Sequence, residues 1–182
     1  MSPHGSAPET PAAAATKSAG RPRKVYRTGA VTTWLRRGSI LLTLGSTLAL
    51  LIGYATLPNE IPIHFNLAGV ADGWGPKRYV FVLVGVFGAL VFGSAWLSTK
   101  PHLFNYPTEI TESNAQAIYR EGERMVVWAA LAISLLTVSF ALSTLLALDL
   151  AFFNLLMIAA LLGATGVGVV RIINAARRLP AP

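Results

Sequence analysis

Four long apolar runs constrain this chain more than any other feature: Ser39 to Leu57, Tyr79 to Ser98, Met125 to Leu148 and Ala151 to Ile173. Each is close to the roughly 20 residues that a helix needs to cross a hydrocarbon core about 30 Å thick. Their interiors hold no charged side chain, Arg171 standing at the end of the fourth. A chain that is 53% hydrophobic and 13% charged cannot keep such runs in water. In lipid every backbone amide must be bonded internally, so the runs must be helices. The expected fold is therefore all-α: four transmembrane helices in a bundle, spans 39–57, 79–98, 125–148 and 151–173 of a membrane domain 31–178.

Arg36 and Arg37 before the first run, and Gly53-Tyr54-Ala55 within it, resemble parts of a secretory signal. A signal's apolar region runs about 7–15 residues, and this run is longer, so it reads as an uncleaved anchor. Of 15 lysines and arginines, only Lys77 and Arg78 fall between the first and second runs, and none between the third and fourth. The positive-inside rule then predicts a multi-pass protein of the plasma membrane with both termini cytoplasmic. The net charge of +7 needs no nucleic-acid partner once topology accounts for it. The lipid bilayer is the expected partner, with Arg21, Arg23, Lys24 and Arg27 beside it as a tether. Without cysteine, no disulfide can brace a loop.

Residues 1–30, rich in Ala, Pro, Ser and Thr, read as a disordered cytoplasmic tail. In the cytoplasmic connector 99–124, Pro101 and Pro107 break any helix, and Thr111 reads as the N-cap of a short interfacial helix with Glu112 in its first turn. Ile118 and Tyr119 would rest on the membrane while Arg120, Glu121, Glu123 and Arg124 face water. Asp149 and Leu150 alone separate the last two runs, which predicts a helical hairpin with Asn154 one turn later. Small residues recur four apart in Gly45-Ala49-Gly53, Gly85-Ala89-Gly93, Ser139-Ser143-Ala147 and Ala160-Ala164-Gly168. Such stripes let helices approach closely in lipid, within one bundle or in a homo-oligomer.

The segment 58–78, "PNEIPIHFNLAGVADGWGPKR", falls on the outer side and differs from its flanks. Pro58 ends the first helix, Ile61 to Asn66 alternates as extended chain, and Gly69 and Asp72-Gly73 carry turn chemistry. Trp74 and Tyr79 suit the lipid boundary. An ordered extracytoplasmic loop is expected, capping the bundle. His64 and Asn66 would bond loop backbone, and Asp72 would cap a turn or meet Lys77.

Pro58, Ile61, Pro62, His64, Phe65, Asn66, Gly69, Asp72, Gly75 and Lys77 form an I-P-x-H-F-N-x-x-G-x-x-D-x-x-G-x-K pattern between two spanning runs. It resembles the signature of a bacterial membrane family of unknown function whose domain also forms the N-terminal part of Sdp-type immunity proteins. "NYPTEIT", followed by Asn114 and Tyr119, is similar to the connector of some members. The resemblance implies a membrane domain with a motif loop between its first two helices, and no established reaction.

His64, Asp72 and Glu60 are the only metal-ligand candidates in the loop. One imidazole and two carboxylates without H-E-x-x-H or paired cysteines fall short of a zinc site, so neither metal nor cofactor is expected. No residue is assigned to catalysis. The expected function is a non-enzymatic sensor, immunity-like or accessory protein that uses its outer loop to recognise a membrane or peptide partner. The alternatives are a small transporter component and a metal-binding membrane protein. Transport pathways draw on ionisable groups inside the spans, and the interiors offer none.

Overall fold

The computed structural model describes residues 21–178. Its helices are α1 (Ala30–Gly53), α2 (Tyr79–Ser98), α3 (Ala115–Leu146) and α4 (Ala151–Arg178). All four are long and apolar enough to cross a membrane, and the chain is a multi-pass helical protein. Between α1 and α2 lies an antiparallel hairpin, β1 (Glu60–Phe65) and β2 (Ala71–Pro76), which adds a small sheet to the helical fold. Single 3-10 turns, Tyr54–Thr56 and Pro101–Leu103, follow α1 and α2.

The second helix coincides with the expected span 79–98, while α1 and α3 begin earlier than expected and stop short at Gly53 and Leu146, and α4 runs past 173. α1 begins at Ala30, so Arg36 and Arg37 lie within the helix, and α4 runs on to Arg178. α3 starts at Ala115, which makes the expected interfacial segment its own first turns. Thr111 is not the N-cap. That position belongs to Asn114, whose side chain turns back to accept from Thr111 N at 2.8 Å and donate to Glu109 O at 3.2 Å. Glu112 consequently precedes the helix.

α3 contacts each of the other three helices and carries the largest share of buried residues. The contact face of α1 is Ser39, Thr43, Ser46 and Leu50, a helical stripe of small hydroxyl residues and one leucine. Ser39 and Ser46 donate to Leu35 O and Leu42 O one turn back, so their polar atoms are satisfied without another helix. Ser134 and Thr137 on α3 bond their own helix in the same way. The glycine stripes behave differently from expectation. Gly45, Gly85 and Gly93 face open space, whereas Gly53 and Gly168 lie against Leu145 and Met125. Ser39 and Ser46, bonded to their own turns, line the seam with Thr43, whose buried Oγ1 has no hydrogen-bond partner among the described residues.

Two apolar clusters close the ends of the bundle. At the hairpin end Leu50, Leu57, Ile61, Val80, Phe140 and Ala141 are buried together. At the other, the connector end, Phe104, Tyr106, Ala115, Ile118, Tyr119 and Ile172 form the second. Ile118 and Tyr119 therefore lie in the protein core and not on a membrane surface. Tyr106 donates to Pro101 O at 3.0 Å, and its ring passes so close to Gly122 that a Cβ there would meet Oη at 2.6 Å.

Glu123 departs furthest from expectation. Read as facing water, it is 1% exposed and accepts from Lys24 Nζ, Tyr26 Oη and Thr28 Oγ1, each at 2.7 Å, as well as from Arg36. A buried carboxylate needs such company, because desolvation disfavours an unpaired charge by several kcal/mol, roughly, per ion. Burial first, and then the bond to Glu123, raises the Tyr26 phenol well above its ordinary range, so it stays a donor. Residues 21–28 of the expected tail are accordingly docked. Arg21 donates to Phe104 O at 2.5 Å, Gln116 Nε2 to Arg23 O at 2.8 Å, and Val25 N to Gln116 Oε1 at 3.0 Å. Residues 1–20 of that tail lie outside the described residues.

Glu123→Ala should destabilise the protein by about 3–5 kcal/mol, since it strands Lys24 and Arg36. Glu121→Ala, whose partner Arg124 is exposed at the surface, should cost under about 1 kcal/mol. Thermal unfolding in mild detergent measures both, and limited trypsin digestion should cut at Arg23 to Arg27 faster in the Glu123 variant alone.

Candidate functional site

The hairpin is the one described element outside the helices with a built shape, and the sequence accounts for most of it. Pro62 opposes Trp74 and Ile61 opposes Gly75, while register shifts on either side of His64 mark an irregular, bulged stretch. Ile61 and Pro62 are buried against the bundle, and Phe65 packs on the same cluster. Gly75 is required by space: a Cβ there would meet Ile63 Cδ1 at 2.8 Å and the Tyr79 ring at 3.1 Å. Asp72 and Gly73, expected in a turn, lie within β2.

The turn is Asn66 to Val70. Asn66 Oδ1 accepts from Ala68 N at 2.9 Å and Val70 N at 3.1 Å, and Asn66 N donates to Val70 O at 2.9 Å. Gly69 sits at φ 78°, a left-handed conformation that disfavours any side chain. It is also pressed on the start of α4, where a Cβ would come within 2.2 Å of Ala151 O. From there a buried relay holds the hairpin down: Asn154 Nδ2 donates to Gly69 O at 3.2 Å, and Ser139 Oγ donates to Asn154 Oδ1 at 2.5 Å. Asn66 and Gly69 are thus docking residues.

The remaining motif residues divide. Pro58 does not end the first helix, since α1 stops at Gly53 and a 3-10 turn follows; it lies exposed beyond that turn, and Lys77 reaches back to Leu57 O at 3.3 Å with its ammonium over the Tyr54 ring. Asp72 does not meet Lys77. It pairs with His64, Nδ1 to Oδ1 at 2.5 Å, across the strands. His64 is 71% exposed there, so it bonds a side chain in water and not the loop backbone. Glu60 lies at the opposite end of β1, opposite Pro76, and does not join them. Among the described residues no three His, Asp or Glu side chains gather closely enough to hold a metal ion.

Between the hairpin and the α3–α4 turn lies a cleft of about 400 Å³. Ile61, Pro62, Phe65 and Val70 line one wall, and Ala147, Leu148 and Ala151 the other. Trp74 stands on its edge, 61% exposed, and Glu60 and Asp149 supply two carboxylates. Thr144 lines it too, and its Oγ1 is buried without a hydrogen-bond partner among the described residues. α3 ends at this wall because Ala147 turns left-handed, φ 52°. Sequence reasoning singled out Glu60 and Asp149 separately but could not bring them together or find Thr144, because the three come from segments some ninety residues apart.

Residues 41–88 match a family described only as a domain of unknown function (DUF1648), which takes in most of α1, the hairpin and the first half of α2. No curated protein and no solved structure matches the chain.

Asn154→Ala leaves Gly69 O and Ser139 Oγ unpartnered in a buried site and should cost about 1–3 kcal/mol. His64→Ala, at an exposed pair, should cost under about 1 kcal/mol. Chemical unfolding of both variants in the same detergent separates a docked hairpin from one organised around its histidine.

Proposed function

We propose that this protein works in the plasma membrane as a non-enzymatic sensor, immunity-like or accessory protein that recognises a peptide outside the cell. The hairpin is taken as extracytoplasmic and both termini as cytoplasmic. Lys77 and Arg78 being the only lysine or arginine at the hairpin end supports that orientation.

The observation that carries the reading is the cleft. Recognition sites are commonly concave, mostly apolar and supplied with a few placed polar groups, and this one joins an apolar lining to Glu60, Asp149 and an unpartnered Thr144 hydroxyl. That chemistry suits an apolar peptide with one amino or guanidinium group. Its position beside the docked tip would let an occupant pull on Gly69 and Asn154, and so on α3 and α4. The likeness of the loop to that of Sdp-type immunity proteins suits a peptide ligand as well.

Selection of displayed random heptapeptides on the protein in nanodiscs tests the reading. The expected result is convergence on apolar sequences with a single basic group, whose binding falls about tenfold or more in Asp149→Asn and in Thr144→Leu. Enrichment no different from empty nanodiscs would overturn it. Orientation is checked separately. The chain has no cysteine, so Leu67→Cys should react with an impermeant maleimide in intact cells and Asn174→Cys should not.

A further inference from the structure

The connector end holds a second cleft, of about 610 Å³, between the first turns of α3 and the last turns of α4. Arg120, Arg124, Arg171 and Arg178 line it with Gln116 and Asn174, against a single carboxylate, Glu121. Glu121 pairs with Arg124 at 2.6 Å, and Arg120 lies over the Tyr26 ring. Arg171 and Arg178 have no carboxylate partner among the described residues. Four guanidiniums facing one acid make a site for an anion with several oxygens, which they can grip in bidentate fashion.

Two further observations say which anion. The first is depth. Arg171 follows Ala151 by 20 residues of continuous helix, which at 1.5 Å per residue is about 30 Å, one hydrocarbon thickness. The cleft therefore sits at the level of lipid headgroups. The second is a groove of about 340 Å³ that shares Glu121, Arg124 and Arg171 with the cleft and runs on between α3 and α4 past Met125, Trp128, Gly163 and Val167. Its wall at Gly163 is open, with nothing within 4 Å of where a Cβ would stand.

We propose that these two cavities form one binding site for an anionic phospholipid, its phosphate among Arg124, Arg171 and Arg178 and an acyl chain along the groove toward Gly163. The site does not depend on the peptide cleft, which lies at the other end of the bundle. It differs from a diffuse basic tether in requiring a fixed geometry on two helices. A bound lipid would also bridge α3 to α4 through Arg124 and Arg171.

Native mass spectrometry of the full chain, delipidated and then titrated with phosphatidylglycerol or phosphatidylcholine, tests it. One phosphatidylglycerol should bind about tenfold or more tightly than phosphatidylcholine. That preference should vanish in Arg171→Gln/Arg178→Gln and persist in Arg37→Gln, which lies outside the cleft. Gly163→Leu should weaken phosphatidylglycerol by filling the groove, and inorganic phosphate at millimolar concentration should not displace the lipid. Equal binding of the two lipids, or a preference unchanged in the double variant, would overturn the site. Full displacement by phosphate with no effect of Gly163→Leu would mark a free-phosphate site and overturn the lipid assignment. Unchanged thermal unfolding of the variants before lipid is added guards against misfolding, since these arginines are exposed.

Discussion

A carboxylate taken out of water must be met by donors, and Glu123 meets four of them from a segment some ninety residues away in sequence. Lys24, Tyr26 and Thr28 come from the extended chain before α1, and Arg36 from α1 itself. That single site ties the chain's N-terminal approach to its central helix and fixes where α1 can stand. Because α3 contacts every other helix, anchoring α1 to it orders the whole connector end. The aromatic cluster of Phe104, Tyr106 and Tyr119 fills in around the charge.

The hairpin end obeys the same physics with neutral groups. Asn154, buried near the start of α4, accepts a hydrogen bond from Ser139 on α3 and donates one to the carbonyl of Gly69. Lipid offers no competing partner, so a buried amide is satisfied by reaching into the hairpin. Motif residues that looked chemical in sequence thereby become structural: Asn66 closes the turn, Gly69 allows the approach, and Gly75 makes room for Ile63 and Tyr79. The exposed His64–Asp72 pair is left with no packing role, and the cleft holds one buried hydroxyl, Thr144, that the fold does not consume, while Asp149 accepts from Ala151 N at 3.0 Å.

Fold was legible in the sequence where one physical constraint dominated. Twenty uncharged residues can only be a helix in lipid, so α2 emerges where expected, while the short α3–α4 link is present but longer than Asp149-Leu150, because Ala147 turns left-handed and ends α3 at Leu146. The connector was misread because Glu123 belongs to a run of alternating charges, Arg120 to Arg124, that locally resembles a solvated face. Its donors lie at Lys24 to Arg36, and no local pattern links the two. The same reason hid the Thr144 hydroxyl and the arginine cleft, each assembled from distant turns. Glycine spacing misled for a different cause: Ser39, Thr43 and Ser46, small hydroxyl residues at helical spacing, took the inward face of α1.

The motif loop is a hairpin clamped over the α3–α4 turn by Gly69 and Asn154, and the cleft exists only while the clamp holds. Nitroxide labels at Leu67 and Phe152, both largely exposed, report on that clamp directly in lipid bilayers. Strong dipolar broadening between them in the parent protein, largely lost in Asn154→Ala, is the predicted result. Spectra in the parent that equal the sum of the two singly labelled proteins would rule the clamp out, for the hairpin would then not rest on the bundle at all.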